Sequence, residues 1–124
     1  MREEIRSRAR SVLSPRVEYW SKTTGLRYQS LRISVAEKRF GSCNSKAGIS
    51  LTCYLADLPQ ELIDYVIVHE LCHTVHLNHS KDFYSLLSRF LPDYREREKE
   101  LGSVILPTVP SVSNESQSKK ENSK

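Results

Sequence analysis

The chain has 124 residues, 38% of them apolar and 27% charged, with a net charge of +4. That length suits one domain with a modest core, and no second domain is needed. No apolar run approaches the roughly 18 residues of a membrane-spanning helix, and the opening MREEIRSRAR has no apolar stretch behind it, so neither a membrane span nor a signal peptide is expected.

Charge is unevenly spread. Residues 1–40 carry ten Lys/Arg against four Asp/Glu, a balance of +6, whereas residues 41–80 carry one Lys against four acids, a balance of −3. The basic end suits an anionic partner such as nucleic acid or phosphate, although a solvated helix face has the same composition. Cys43, Cys53 and Cys72 form no CxxC pair and cannot all pair with one another. Free thiols in a reducing cytoplasm are the expectation.

Ile5, Ala9, Val12 and Leu13 recur at helical spacing, which predicts an amphipathic helix over residues 1–13. Ser14-Pro15 is expected to break it and start a second helix, which runs to about Thr24 with Gly25 as its C-cap. Leu31, Ile33 and Val35 alternate with polar residues and predict a strand. The polar segment Gly41–Gly48 reads as a loop, and Ile49, Leu51, Cys53 and Leu55 predict a second strand. The two strands are expected to pair as an antiparallel hairpin. Asp57 and Pro59 announce a helix with a wide apolar face, from Leu62 through Val75, ended by a left-handed turn at Asn78. Ser80 is suited to N-cap the next helix, which carries Phe83, Leu86, Leu87 and Phe90. Pro92-Asp93 opens a last helix from Tyr94 to about Leu101. Residues 1–106 are expected to form the domain, and residues 107–124, rich in Ser, Lys, Asn and Glu, a disordered tail.

The stretch HELCHTVHLNH, residues 69–79, carries the chemistry. His69 and His73 lie about 40° apart in angle and about 6 Å apart in height on a helix, so both rings can close on one ion. Glu70 lies about 100° round the axis. It is suited to take a proton from a water at the metal, not to bind the metal itself. A third ligand has to come from His76 or His79. On a straight helix His76 would lie about 10 Å beyond His69, too far along, so the chain must turn back. A turn at Asn78 would bring His79 to the ion, and His79 is favoured over His76. The spacing His69-x3-His73-x5-His79 matches that of metzincins, which have Gly where this chain has His76. Three imidazoles suit one Zn2+ ion with a fourth position open for water.

The combination RFGSCNSKAGISLTCYL, LIDYVIVHELCH, NHSKDFY and PDYRERE is more specific than HExxH alone. Over roughly residues 5–101 the chain resembles the YgjP-like family of bacterial metal-dependent hydrolases, which is related to the SprT-like and WLM metalloproteases. Phe40 stands where that family usually has Trp, and the N-terminal β-rich extension common in relatives is missing, so the chain reads as the catalytic core. The resemblance implies an α+β, zincin-like (minigluzincin-like) core. In it a short antiparallel sheet or hairpin packs on a central HExxH helix, with flanking helices. It also implies that His69, His73 and His79 hold the metal and that Glu70 is the catalytic acid/base.

The function expected is therefore a cytoplasmic zinc-dependent hydrolase acting on peptide bonds. YgjP-type relatives are also associated with nucleoside triphosphate hydrolysis, UTP in particular, so a nucleotide is the alternative substrate. A third reading is a non-catalytic module in which the ion braces the fold and the basic N-terminal region contacts nucleic acid. The presence of Glu70 argues against it. Strand Gly48–Leu55 is the candidate wall of the cleft. Lys38 and Arg39 are candidate anion ligands, and Tyr94 and Arg95 candidate oxyanion donors. Cys43 and Cys72 read as structural thiols.

Overall fold

The computed structural model describes residues 2–35 and 39–103. The tail expected over residues 107–124, and Lys38, lie outside them. The elements run α1 (Arg2–Thr24), β1 (Ser30–Ser34), β2 (Gly41–Cys43), β3 (Gly48–Thr52), a 3-10 turn (Cys53–Asp57), α2 (Gln60–Cys72), α3 (Lys81–Phe90) and α4 (Tyr94–Gly102).

The expected break at Ser14-Pro15 is absent. A single helix runs through Pro15. Proline leaves the carbonyl four residues back without its helical donor, and an interior proline costs about 3 kcal/mol. Pro15 is exposed, so water can serve that carbonyl. Ala9, Leu13 and Val17 are all buried on the opposite side and hold both halves of the helix to one core. Ion pairs on either side of Pro15 do the same: Arg8 NH2 lies 2.9 Å from Asp57 Oδ1, and Arg16 makes two bonds to Asp64, at 2.9 and 3.1 Å. Gly25 closes the helix as expected, at φ 78°, with its N–H donating to the Ser21 carbonyl.

Asp64 is nearly buried, whereas Arg16 keeps some exposure. Removing the carboxylate leaves a guanidinium partly desolvated and unpaired. Asp64→Asn is expected to lower stability by about 1–3 kcal/mol in urea denaturation. A loss below about 0.5 kcal/mol would show that the pair contributes no more than a surface contact.

The sheet differs from the expected hairpin. Its order is β1-β3-β2, and β1 runs parallel to β3, with Leu31 opposite Ile49 and Ile33 opposite Leu51. An antiparallel hairpin is present, but its first strand is β2, from the segment read as a loop. Gly41 explains why that segment looks unlike a strand. A Cβ there would meet Leu51 Cδ2 at 3.0 Å, the Ser50 carbonyl oxygen at 3.2 Å and Val66 Cγ1 at 3.2 Å. β2 therefore packs directly on β3 and α2 with no side chain between. Asn44 Oδ1 builds the turn by accepting from the Lys46 and Gly48 N–H groups, and Ala47 adopts φ 63°. The second predicted strand also ends early. After Thr52 the chain winds into the 3-10 turn, which buries Cys53 and Leu55.

α2 is the centre of the fold, touching α1, β2, α3 and α4. Every residue from Leu62 to Val68 is buried, as are Glu70, Leu71 and Cys72. The expected helix runs to Asn78, but α2 stops at Cys72. Its bonds tighten to i→i−3 at His73, Thr74 and Val75, and Thr74 Oγ1 donates to the Leu71 carbonyl at 2.6 Å. No left-handed turn forms at Asn78; among the described non-glycine residues only Ala47 has positive φ. α3 starts as expected, with the Phe83 N–H donating to Ser80 Oγ at 3.3 Å.

Candidate metal centre

Because α2 ends at Cys72, the chain reverses at once, and the six residues after His73 return His79 to the helix face. His69 and His73, one turn apart, have ring centroids 4.9 Å from each other. His79 lies 5.2 Å from His69 and 4.7 Å from His73. One nitrogen from each ring falls within 4.8 Å of the others. His73 Nε2 and His79 Nε2 are 3.1 Å apart. Two nitrogens sharing a tetrahedral zinc at about 2.0–2.1 Å would lie about 3.3 Å from each other.

The orientation of His73 is set by the same turn. Its Nδ1 lies 2.9 Å from the carbonyl oxygen of His76. A carbonyl can only accept, so Nδ1 carries the proton and Nε2 presents its lone pair to the centre. Phe83 lies beneath all three rings, fully buried, with centroids at 5.0 Å from His69, 4.5 Å from His73 and 5.0 Å from His79. The apolar pattern of α3 marks Phe83 as core but does not reveal that it is the common floor of the site. Its spacing, four residues beyond His79 and just past the Ser80 cap, is the signal that could have found it.

Glu70 is 5% exposed. Its Oε2 lies 3.4 Å from His69 Nδ1, and its buried Oε1 has no hydrogen-bond partner. A desolvated carboxylate oxygen without a donor is costly. Three imidazole nitrogens beside that orphaned oxygen fit a divalent cation with an activated water.

Burial and then the charge of His69 hold the His73 pKa below its ordinary value. His79 as a residue is exposed, but its inward-facing ring is partly desolvated, and that, then His69 and His73, pulls it down to about 4. Both rings are therefore neutral near pH 7, the form in which imidazole binds a metal. The consequence for stability has a definite sign. In metal-stripped protein the unfolded chain takes up the His79 proton near 6.5, the folded chain only near 4. Stability is complete above about pH 6.5 and falls as pH drops toward 4. Urea midpoints in chelator are expected to be lower at about pH 5 than at about pH 7, with a smaller difference in His79→Asn. Equal pH dependence in the two proteins would contradict this.

The family described as YgjP-like, metallopeptidase domain, matches residues 1–103. The chain belongs to that family. It is a metal-dependent hydrolase by that membership. Two crystal structures share the fold of this YgjP-like domain. One is the metallopeptidase zymogen abylysin of Pyrococcus abyssi, at TM-score 0.65 and 21% identity, covering 72% of this chain and 90% of that one. The other is the metallopeptidase zymogen jannalysin of Methanocaldococcus jannaschii, at TM-score 0.63 and 20% identity, covering 72% and 92%. The α+β minigluzincin-type core expected from the resemblance is the fold observed. A search of curated proteins found no match. No helix among the described residues is long and apolar enough to cross a membrane.

Other candidates fall elsewhere in the YgjP-like domain. The His76 ring is outside the cluster, although its carbonyl orients His73. β3 is the middle strand, so it cannot be the free edge of a cleft; β2 is the edge on the α2 side. Gly41 abuts Val66, Cys43 is two residues on along the same strand face, and Glu70 is one turn on from Val66. Cys43 thus lies beside Glu70, whose charge, after burial, helps push the thiol up to about 11. A thiol that stays protonated suits a wall and not a nucleophile. Cys72 is buried, as expected, and pushed up to about 12, again by burial and then Glu70. Tyr94 stacks on Tyr84, and Tyr84 on His79, so Tyr94 is a full ring removed from the histidines. Arg95 Nε donates to the Tyr94 hydroxyl. Arg39 is exposed.

Proposed function

We propose that this YgjP-like domain hydrolyses peptide bonds, with one zinc ion held by His69, His73 and His79 and with Glu70 as the general base. The observation that carries the reading is the buried, unpartnered Glu70 Oε1 beside three converging imidazoles. Zinc bound there would supply Lewis acidity toward a water and the substrate carbonyl. Glu70 Oε1 takes the proton from the attacking water and then delivers it to the nitrogen of the departing amine. Its burial keeps bulk water from competing for that proton. The edge strand β2 offers backbone groups on which an extended peptide can pair, next to Glu70.

A peptide suits the site better than a triphosphate. Among the described residues, the charged neighbours acting on His73 and His79 are the other imidazoles and Glu70, with no lysine or arginine among them. A triphosphate calls for cations at its oxygens. Abylysin and jannalysin, which share this fold, are metallopeptidase zymogens, which also favours a peptide. The test is a screen of zinc-loaded protein on a peptide library and on nucleoside triphosphates including UTP. Metal-dependent peptide cleavage is expected. Hydrolysis of UTP without peptide cleavage would replace this reading with the phosphoanhydride one. Retention of metal with neither activity would point to a non-catalytic, metal-braced module.

A further inference from the structure

A second face of the molecule carries charge that the metal centre does not use. Arg10 on α1 reaches the Leu31 carbonyl on β1, NH2 to O 3.4 Å. β1 is an outer strand of the sheet among the described residues, so this guanidinium reaches the strand that carries Arg32. Ile33 faces the core, so Arg32, next to it, stands on the opposite face, in one row with Ser50 and Ser42. The Gln29 N–H donates to the Ala47 carbonyl at 2.7 Å, and Ser30 pairs with Gly48. Those contacts bring the loop bearing Arg27 against the turn bearing Lys46. Arg10, Arg27, Arg32 and Lys46 are all exposed. Among the described residues none of the four has a carboxylate within ion-pair distance, whereas Arg8, Arg16 and Arg97 each do.

We infer that this face binds the phosphate backbone of a nucleic acid. Four cations without a carboxylate partner among the described residues, around a serine-bearing sheet face, offer charge and hydrogen bonds but no means of reading bases. An anionic membrane is the other polyanion to weigh. It would call for apolar anchors among the cations. The large exposed apolar side chains lie elsewhere. Ile5, Val12 and Tyr19 form a stripe on α1 about 160° around the helix from Arg10, and Val75 and Leu77 sit on the turn of the metal centre.

The test is fluorescence anisotropy with labelled short single-stranded and duplex DNA, from about 50 to 200 mM salt. Three or four phosphate contacts give a slope of log K against log salt of about −2 to −4. The variant Arg27→Gln/Arg32→Gln/Lys46→Gln is expected to bind at least about tenfold more weakly at the lower salt, with a flatter slope. A matched loss of charge on α3 and α4, Lys81→Gln/Arg89→Gln/Lys99→Gln, is expected to bind like the parent. Melting temperatures confirm folding. Should the triple variant melt lower, Arg32→Gln alone is expected to weaken binding in the same direction. Parental binding by the folded triple variant, or by Arg32→Gln where the triple variant melts lower, would overturn the inference. So would an absence of salt-dependent DNA binding, or binding to phosphatidylcholine–phosphatidylserine vesicles with both DNAs left free.

Discussion

Glu70→Gln is expected to lower metal-dependent peptide turnover by about 10²–10⁴-fold while leaving metal content unchanged. Glutamine keeps the shape of the side chain and loses the ability to accept a proton. Glu70 is 5% exposed, so little room exists for water to take over the role. The same substitution carries a second expectation of opposite sign. A carboxyl group whose buried Oε1 is unpartnered is a burden to the fold. A neutral amide in its place relieves part of that burden, so the variant is expected to be at least as stable as the parent in urea. Loss of activity with a gain in stability separates a group kept for chemistry from one kept for structure. Retention of more than about a tenth of parental turnover would remove Glu70 from the general-base role.

Phe83→Ala is expected to destabilise the metal-free protein by about 3–5 kcal/mol. Domains of this size are stable by only about 5–15 kcal/mol, so the variant stands near the edge of folding. The side chain is fully buried, and its ring is the shared floor under His69, His73 and His79. Truncation would leave a cavity where the three imidazoles need a rigid support, and zinc affinity is expected to fall with stability. Phe83→Leu, which keeps most of the volume, is expected to retain most of the stability and to lose part of the metal affinity. Urea denaturation and zinc titration check both. A loss below about 1 kcal/mol for Phe83→Ala would mean that the site does not rest on this ring.

Helices α2, α3 and α4 were legible as helices because their signals are local. Leu62 to Cys72 repeat apolar residues around α2, and Ser80 followed by Lys81 and Asp82 announces the start of α3. α1 was misread as two helices, because Pro15 signals a break that the buried face of Ala9, Leu13 and Val17 overrides. Three further features were not legible, for three physical reasons. β2 is three residues long and contains Gly41, which is small because Leu51 and Val66 come so close, so no hydrophobic alternation marks it. The parallel pairing of β1 with β3 goes with the intervening strand β2 taking the antiparallel place beside β3, and side-chain alternation is the same for either strand direction. The end of α2 at Cys72 is hidden because Val75 and Leu77 continue the apolar pattern while both lie exposed on a turn.

That last point bears on the site. The spacing of His69 and His73 was readable from helix geometry, and so was the need for the chain to double back. The place of the reversal was not. It begins at His73 itself, where the Glu70 carbonyl accepts from the His73 N–H and the His76 carbonyl accepts from the ring. Asn78 keeps ordinary backbone, since it is not among the described residues with positive φ. The turn thus orients His73 and delivers His79 in one stroke, which no property of Asn78 could have announced.

Zinc-edge X-ray absorption on zinc-loaded protein tests the shared-ion claim most directly. Nitrogen neighbours at about 2.0–2.1 Å are expected, with scattering from three imidazole rings and a fall to two rings in His79→Ala. A sulfur neighbour at about 2.3 Å from Cys43 or Cys72, or a spectrum left unchanged by His79→Ala, would contradict it.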